Sequence, residues 1–333
     1  MITLEHGAGG RKTQELVEKT IAPLFRYRNY NALGLDAFED GSAIRFGKGF
    51  AVFTSDSYIV TPLFFSGGDM GKLSACGTIN DLSVMGARPV AMHMNLVIEE
   101  GFGKRDLARI LRSMAKVCKK ERVHLLGGDT KVVERGKLDG LVISMFGVGI
   151  AKELVRNSGA RPGDAIIVTG AIGEHEMAIF SDREKLDLAG DFKSDCAPLY
   201  RMIRRAMDAG EVHAMKDITR GGLAGALNEI AKKSGVSMHI EENAVPVRPA
   251  VKNSCEIFGF DPLNLACEGR AVLGVKGKDA KGILDALRRT GEGGGAKIVG
   301  RVGKGSGEVV LNMEYGGRRL VQVPAGSPLP RIC

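Results

Sequence analysis

The sequence lacks tryptophan, and aromatic residues make up only 5% of its 333 residues. Its 47 basic and 39 acidic residues give a net charge of +8, but no block of five like charges occurs. Proteins that bind nucleic acids typically cluster their basic residues and use aromatic rings to stack on bases. The composition therefore argues against nucleic-acid binding and indicates a solvated basic surface.

Long apolar segments are also missing. The longest stretches without a charged residue, such as 140–151, have 12 residues, whereas a helix needs about 20 to cross a bilayer. Near the N-terminus, Glu5 and Arg11 interrupt the chain before the apolar core of a signal peptide could form. We therefore expect a cytoplasmic protein that does not enter the membrane.

The cysteine pattern contains no C-x-x-C pair, and no histidine lies within four residues of another. Both absences argue against a zinc site. A disulfide framework is not expected in a cytosolic chain of this size, so the first five cysteines are interpreted as small, mostly buried apolar residues. Cys333 differs because it is the last residue of the sequence and follows a proline-rich segment. We expect its thiol to be exposed and mobile.

Glycine, by contrast, is abundant: 46 of the 333 residues are glycine, which is nearly twice the usual share of about 7%. The glycines form short clusters between apolar runs, a pattern typical of tight turns and of backbone that approaches a phosphate-bearing ligand. The nearest match to a P-loop, 67–73, lacks both the glycine spacing and the final Ser or Thr. This argues against a Walker-type ATPase.

Apolar residues at helical spacing predict helices over 70–85 and 107–118, and short apolar runs predict strands such as 50–54 and 90–98. Further predicted helices and strands alternate through the second half of the chain. This alternation indicates an α/β (α+β) fold.

The length exceeds the roughly 250–300 residues that one core usually supports, so two domains are expected. We place the first at 1–156 and the second at 157–322, because a polar, glycine-containing stretch begins at 157 and is followed by a new buried strand. Residues 323–333 form a tail. Its Pro324, Pro328 and Pro330 argue against a helix or an inner strand and favour an extended path.

Acidic residues recur beside predicted strand ends and glycine or small residues. They are Asp40, Asp56, Asp81, Asp129 and Asp217. Carboxylate oxygens suit Mg²⁺, which typically binds one or two carboxylates together with water and substrate phosphates. Any one of these residues could equally cap a helix or shape a turn. Five in similar settings favour a site for metal ions and phosphate.

Seven motifs, in the same order along the chain, carry a resemblance to a known family. They are His6–Gly10, Thr54–Tyr58, Gly67–Leu73, Cys76–Asp81, Gly127–Val133, Asp217–Gly222 and Pro330–Cys333. Together they resemble the HypE family of hydrogenase maturation factors. That family belongs to the superfamily of aminoimidazole ribonucleotide synthetase, selenophosphate synthetase and thiamine-monophosphate kinase.

The resemblance implies a two-domain PurM-like fold in which the N-terminal domains of a homodimer pair to form a β-barrel. It also implies that ATP and Mg²⁺ are bound. The metal ligands would be Asp40, Asp56, Asp81, Asp129 and Asp217, and the nucleotide-binding residues would be Asp56, Asp81, Asp129, Thr130, Asp217 and Lys72. Two positions depart from the family pattern: Gly41-Ser42 follows Asp40, and Cys267 precedes Glu268.

For the reaction, the resemblance implies that Cys333 carries a carbamoyl group received from the carbamoyltransferase HypF. ATP-dependent dehydration would turn this S-carboxamide into a thiocyanate, whose cyanide passes to the HypC–HypD complex and becomes an iron ligand of [NiFe]-hydrogenase. Lys131 would steady the phosphate or the oxyanion, and Glu268 would act as the general base. Alternatively, Lys131 is a solvated lysine at a strand end, Glu268 is a helix or turn acid, and the terminal cysteine is accidental.

Two other functions are compatible with the sequence. A small-molecule kinase or synthetase of the same superfamily would keep the aspartates and use ATP, but it would not need Cys333. A nonenzymatic scaffold would only present its tail and would not turn over ATP.

Overall fold

The structure, a computed structural model, describes residues 1–186, 188, 191–323, 329 and 331–333. Its helices are α1 (Arg11–Leu16), α2 (Met70–Val84), α3 (Lys104–Glu121), α4 (Glu174–Glu184), α5 (Tyr200–Ala209), α6 (Gly222–Ser234), α7 (Pro249–Phe258) and α8 (Ala280–Arg288). Within this described part of the chain, no helix combines the length and the hydropathy needed to cross a membrane.

A five-stranded sheet is built from the first part of the chain. Its strands are β1 (Ser42–Phe46), β2 (Gly49–Tyr58), β5 (Arg88–Glu99), β6 (His124–Val133) and β7 (Leu141–Ala151), and a separate pair is formed by β3 (Phe64–Phe65) and β4 (Gly68–Asp69). The strand order is β1-β2-β7-β5-β6, and only β5 and β6 run parallel. β6 is therefore an edge strand, and nine of its ten residues are exposed.

Helix α2 lies against the inner face of this sheet and is buried on nearly every side. It begins at Asp69, whose carboxylate accepts hydrogen bonds from the backbone N–H groups of Gly71 and Lys72 at 2.9 Å each. An aspartate at this position satisfies donors that the first turn of a helix leaves unpaired. The helix predicted over 70–85 is thus confirmed, and it fixes the position of Asp81 beneath β2.

A seven-stranded sheet is built from the second part of the chain. Its strands are β8 (Ala165–Val168), β9 (Val212–Asp217), β10 (Val236–Glu241), β11 (Ala271–Val275), β12 (Lys297–Lys304), β13 (Val309–Asn312) and β14 (Arg318–Leu320). The order is β14-β13-β10-β12-β8-β11-β9. Side chains alternate across it: Ile166 packs in a core with α6, and Ile167 packs in a core with α5 and α8.

Helix α2 also contacts α5 and β9 of this second part, so the two sheets approach each other along it. Asp217 ends β9 on this side. The carboxyl end of β9 and the outer turns of α2 consequently border one cleft.

The last three residues lie against the first sheet. The backbone N–H of Ile59 donates to the carbonyl of Cys333 at 3.1 Å, and that of Thr61 donates to the carbonyl of Arg331 at 3.2 Å. This is an antiparallel arrangement, and Ile332 is buried beside it. The tail prolines Pro324, Pro328 and Pro330, on which the extended path was predicted, lie outside the described residues.

Candidate active site

A cleft of about 320 Å³ lies between the two sheets. Seven acidic and two basic side chains line it, namely Glu39, Asp40, Asp56, Asp81, Asp217, Glu229 and Glu268, with Lys216 and Arg220. Cys333 lies in the same wall. Of the predicted site residues, the cleft therefore brings together Asp40, Asp56, Asp81, Asp217, Glu268 and Cys333.

Asp81 and Asp56 face each other because α2 packs against β2. Oδ2 of Asp81 accepts a hydrogen bond from Thr54 Oγ1 at 2.6 Å, and the hydroxyl of Tyr58 donates to Asp56 at 3.3 Å. Burial, and then repulsion by Asp56 and Asp217, raise the pKa of Asp81 well above its ordinary value. Negative charge in this part of the cleft is therefore costly until a cation arrives.

Asp217 completes this acidic group from the other sheet. It is 3% exposed, and its Oδ2 has no hydrogen-bond partner among the described residues. Burial, followed by repulsion from Asp40, raises the pKa of Asp217 to about 7. A buried carboxylate oxygen without a partner is what a missing ligand leaves behind.

Asp40 and Lys216 form an ion pair, and Lys216 also lies 3.4 Å from Glu229. Burial acts against the charge of Lys216, but Asp40 and then Glu229 outweigh it and raise its pKa well above the ordinary value. Asp40 was predicted as a metal ligand. In the structure its carboxylate forms an ion pair with the ammonium group of Lys216.

Glu268 lies at the bottom of the cleft and is 3% exposed. Its backbone is fixed: the N–H donates to Asp195 Oδ1 at 2.9 Å, and the carbonyl accepts from Asn80 Nδ2 at 3.2 Å. Its side-chain Oε1 has no hydrogen-bond partner within the described chain. Burial, and next the Cys196 thiol, raise the pKa of Glu268 well above its usual range.

Cys333 is half-buried rather than exposed as the sequence suggested, because the hydrogen bonds to Ile59 and Thr61 hold the last residues in the cleft wall. Burial raises the pKa of its thiol to about 12, although the nearby guanidinium of Arg220 opposes the shift. The other five cysteines are buried, as predicted.

Arg220 is held beside Cys333 by the N-terminal segment. Its Nη1 donates to the carbonyl of Gly7 at 3.0 Å, and its charge is stabilised first by Cys333, so that its pKa is raised. Arg220 stands in a motif that carried the resemblance, and Lys216 directly precedes that motif. Neither Lys216 nor Arg220 was predicted as a site residue, although their positions close to Asp217 in the sequence were a usable signal. Glu229 was not predicted either, and its position in the middle of α6 offers no sequence signal of a site.

Asp129, Thr130 and Lys131 are not part of this cleft. They lie on edge strand β6, where Asp129 Oδ2 is 2.8 Å from Lys131 Nζ and the Lys131 hydrogen bond lowers the pKa of Asp129. Asp129 pairs with Asn95 on β5, Asn95 pairs with Ser144 on β7, and Ser144 pairs with Ser57 on β2. Asp129 is therefore three strand spacings, or roughly 14 Å, from Ser57, the neighbour of Asp56 in the cleft.

Lys72 also lies outside the cleft lining. It is in the first turn of α2, and its Nζ donates to the carbonyl of Gly67 at 2.8 Å. Its described contacts are therefore those of a residue that stabilises the loop before α2.

The donor set of the cleft fits magnesium. Its free oxygen atoms are carboxylates, which Mg²⁺ prefers, and the unpartnered Asp217 Oδ2 points to a missing ligand. No group of three His, Cys, Asp or Glu side chains converges tightly enough to hold a metal ion by itself in the part of the chain that is described. Mg²⁺ commonly completes its coordination with phosphate oxygens and water.

Comparisons with known proteins agree with this geometry. Residues 38–151 match the family model "AIR synthase related protein, N-terminal domain", and residues 161–312 match the corresponding C-terminal domain. A carbamoyl dehydratase HypE of Rhizobium leguminosarum bv. viciae is 42% identical over 100% of this chain and 95% of its own length. The chain belongs to the HypE family.

Solved structures of HypE proteins extend the match to three dimensions. A chain from the crystal structure of a HypE–HypF complex is 41% identical, with a TM-score of 0.87 over 93% of this chain and 99% of that chain. A HypE solved in complex with ATP is 37% identical, with a TM-score of 0.83 over the full length of both chains. The mixed α/β, two-domain fold expected from the motifs is confirmed.

Proposed function

We propose that this HypE-family chain is an ATP-dependent carbamoyl dehydratase of [NiFe]-hydrogenase maturation. It converts the S-carboxamide on its own Cys333 into a thiocyanate, and so supplies the cyanide ligand of the active-site iron. The observation that carries the proposal is that Cys333 and Glu268 line the same acidic cleft. Its relatives named carbamoyl dehydratase cover the whole chain at about 40% identity.

The Cys333 carboxamide loses the elements of water in two stages. Its oxygen takes the γ-phosphoryl group of the co-substrate ATP, and its nitrogen releases the first of its two protons to solvent. This step turns a poor leaving group into phosphate and releases ADP. Departure of that phosphate, together with the remaining N–H proton, leaves S–C≡N. Because the reacting group is tethered to the enzyme, it does not have to be captured from solution in either stage, which favours the correct orientation.

Glu268 is the general base that takes the N–H proton. Its Oε1, at the bottom of the cleft, has no competing hydrogen bond among the residues that the structure describes. A raised pKa makes its carboxylate a stronger proton acceptor than an exposed glutamate. Arg220, fixed beside Cys333, is suited to stabilise negative charge on the carboxamide oxygen or the phosphoryl group.

Asp56, Asp81 and Asp217 would hold Mg²⁺, which would offset negative charge on the phosphoryl group. Before the ion binds, the ammonium group of Lys216 pairs with the Asp40 carboxylate, so one carboxylate of the cleft already has a positive partner. Asp217 is buried, and Asp56 and Asp81 are partly buried in the same cleft, which limits their reorganisation when the ion binds.

Asp129, Thr130 and Lys131 act in the cleft of a second copy of the chain. This part of the proposal is supported by the exposed edge strand β6, on which Leu126 is 67% and Val132 66% exposed. The open face of the same sheet also exposes Phe146 and Ile150. Pairing of these sheets in a homodimer would close a β-barrel, bury these side chains and move the β6 residues towards the other cleft.

The chain would work between two partners. A carbamoyltransferase of the HypF type loads Cys333, as suggested by the relative solved as a HypE–HypF complex, and a HypC–HypD complex takes the cyanide. The domain limits 1–156 and 157–322, with a flexible tail from 323 that moves between these partners and the cleft, belong to the same proposal.

Mass spectrometry of the C-terminal peptide tests the reaction directly. After incubation with ATP, carbamoyl phosphate and the carbamoyltransferase, the peptide should gain a carbamoyl group and then lose water. A Cys333→Ala variant should show no productive ATP turnover; if it turns over ATP as fast as the parent chain, the chain is a small-molecule kinase or synthetase instead. A parent chain that is carbamoylated but neither dehydrated nor active on ATP would be a scaffold.

A further inference from the structure

His175 is a buried histidine that the proposed reaction does not use. It is the second residue of α4 and has no exposed surface. Its Nε2 lies 2.8 Å from the carbonyl oxygen of Ile332, and its Nδ1 lies 2.7 Å from Ser194 Oγ. A carbonyl oxygen can only accept, so Nε2 carries a proton and donates it to the tail.

The partners of His175 fix its ring. Ser194 Oγ accepts a hydrogen bond from the backbone N–H of Cys196 at 3.1 Å, which leaves its own hydrogen available for Nδ1. The ring of Phe65 meets the imidazole edge-on, with 5.6 Å between centroids. Burial lowers the pKa of His175, which favours the neutral ring with its proton on Nε2.

The hydrogen bond from His175 completes a set that covers the backbone of the docked tail. The carbonyl of Arg331 accepts from Thr61 N–H and from Arg183 Nη2 at 2.8 Å, and the carbonyl of Cys333 accepts from Ile59 N–H. The Ile332 carbonyl, between them, has His175 as its donor. All three carbonyls at 331–333 are thereby bonded to the body of the protein.

We propose that His175 is a positioning residue that holds the tail in its docked pose and so brings the Cys333 sulfur to the cleft. Without the imidazole donor, the Ile332 carbonyl would be buried beside α4 with no partner. Such a group is costly, and the tail would undock to hydrate it. The effect on docking stands independently, whereas the effect on dehydration rests on the function proposed above.

The first test measures docking alone, through the rate at which iodoacetamide alkylates Cys333 in the folded full-length chain, followed at the C-terminal peptide. His175→Phe keeps a planar ring but removes the donor, and it should raise the rate about tenfold. His175→Gln places an amide donor near the Nε2 position and should stay close to the parent rate. His239→Phe, a half-buried histidine on β10, is the matched control and should leave the rate unchanged.

A smaller variant guards against misfolding of His175→Phe. Ser194→Ala removes the hydroxyl that orients the ring, which is also the acceptor for the Cys196 N–H, and it should raise alkylation severalfold. If either folded variant alkylates within twofold of the parent chain, His175 does not hold the tail and the proposal is wrong.

The second test separates positioning from a structural role. In His175→Phe, single-turnover dehydration of the carbamoylated chain should slow about tenfold, carbamoylation should be as fast as in the parent or faster, and ATP affinity should be unchanged. Equal losses in all three would overturn the positioning role. If alkylation responds as expected but the parent chain itself never dehydrates its carboxamide, the docking role stands and the proposed function fails.

Discussion

Gly9 lies so close to Arg220 that a methyl group on Gly9 would come within 2.4 Å of the Arg220 Cβ. Gly9 also has a φ of +76°, a conformation that favours glycine. With the hydrogen bond from Arg220 to Gly7, this contact means that the glycine motif near the N-terminus sets the position of the guanidinium beside Cys333.

Gly9→Ala should therefore displace Arg220 and slow dehydration of carbamoylated Cys333 by about tenfold, with little effect on carbamoylation. Gly47→Ala is a matched control, because Gly47 also has a positive φ but has nothing within 4 Å of an added Cβ. Both variants carry the same kind of backbone strain. Single-turnover rates that fall equally in the two would show that Arg220 is not the reason for the loss.

Glu268→Gln should accept the carbamoyl group at Cys333 but dehydrate it at least about 100-fold more slowly, since a glutamine of the same shape cannot take the amide proton. Mass spectrometry of the C-terminal peptide measures both steps. Glu314→Gln, at an exposed turn, serves as the control. Loss of water from the Glu268→Gln peptide at the parent rate would remove Glu268 as the base.

The dimer proposal predicts complementation between two inactive variants. Asp56→Asn should weaken Mg–ATP binding in its own cleft, and Asp129→Asn should weaken it in the cleft of the second copy. A mixed dimer of the two would then contain one cleft with both aspartates intact. We expect mixing to restore up to half of the activity of those mixed dimers, measured as dehydration; if mixing restores none, Asp129 acts within its own chain or not at all.

Magnesium should stabilise the protein more at pH 8 than at pH 5.5. Asp217 has a folded pKa of about 7, against an ordinary value of 3.8, so the unfolded chain releases its proton first. Its contribution to stability is complete below about pH 3.8 and is lost as the pH rises through 7, and Asp81 and Glu268 shift in the same direction. Without metal, the melting temperature should fall between pH 5.5 and pH 8.

Mg²⁺ with a nonhydrolysable ATP analogue should reverse that loss by several degrees, because the cation favours the ionised carboxylates. Thermal melts at the two pH values measure the effect. In Asp217→Asn the dependence on pH should become flatter. A stabilisation by Mg²⁺ that is the same at pH 5.5 and pH 8 would contradict the metal site at Asp217.

Elements with a clear apolar period were predictable, and those that carry charge into the core were not. Helix α3 was predicted over 107–118 because one face is apolar and the other basic, and the structure extends it by three residues at each end. Helix α4 has no such apolar period, because it begins with Glu174, His175 and Glu176, all of which are buried. Their burial depends on partners far along the chain, and the local sequence pattern does not indicate those partners.

The acidic cleft was predictable to a similar degree. The sequence grouped Asp56, Asp81 and Asp217 by their similar settings beside strand ends and glycine or small residues, and the structure brings them together. It gave the same indication for Asp129, yet β6 carries that residue along the edge of the sheet instead. Residue type and setting are alike in the two cases; the difference is the strand order, in which β7 and β5 separate β6 from β2. Strand order depends on long-range pairing.

Among the described residues, the hydrogen bonds that dock 331–333 use the three main-chain carbonyls and the Arg331 side chain, whose Nη1 donates to Asp139 Oδ2 at 2.6 Å. None of these bonds involves the Cys333 sulfur. A free thiol, a carboxamide and a thiocyanate would therefore leave this set of acceptors unchanged. The docking equilibrium would have nearly the same constant before and after the reaction, so the chemistry itself would not expel the product. Cyanide would then be delivered only if an acceptor competes for the tail, by binding it more tightly than Ile59, His175 and Arg183 do.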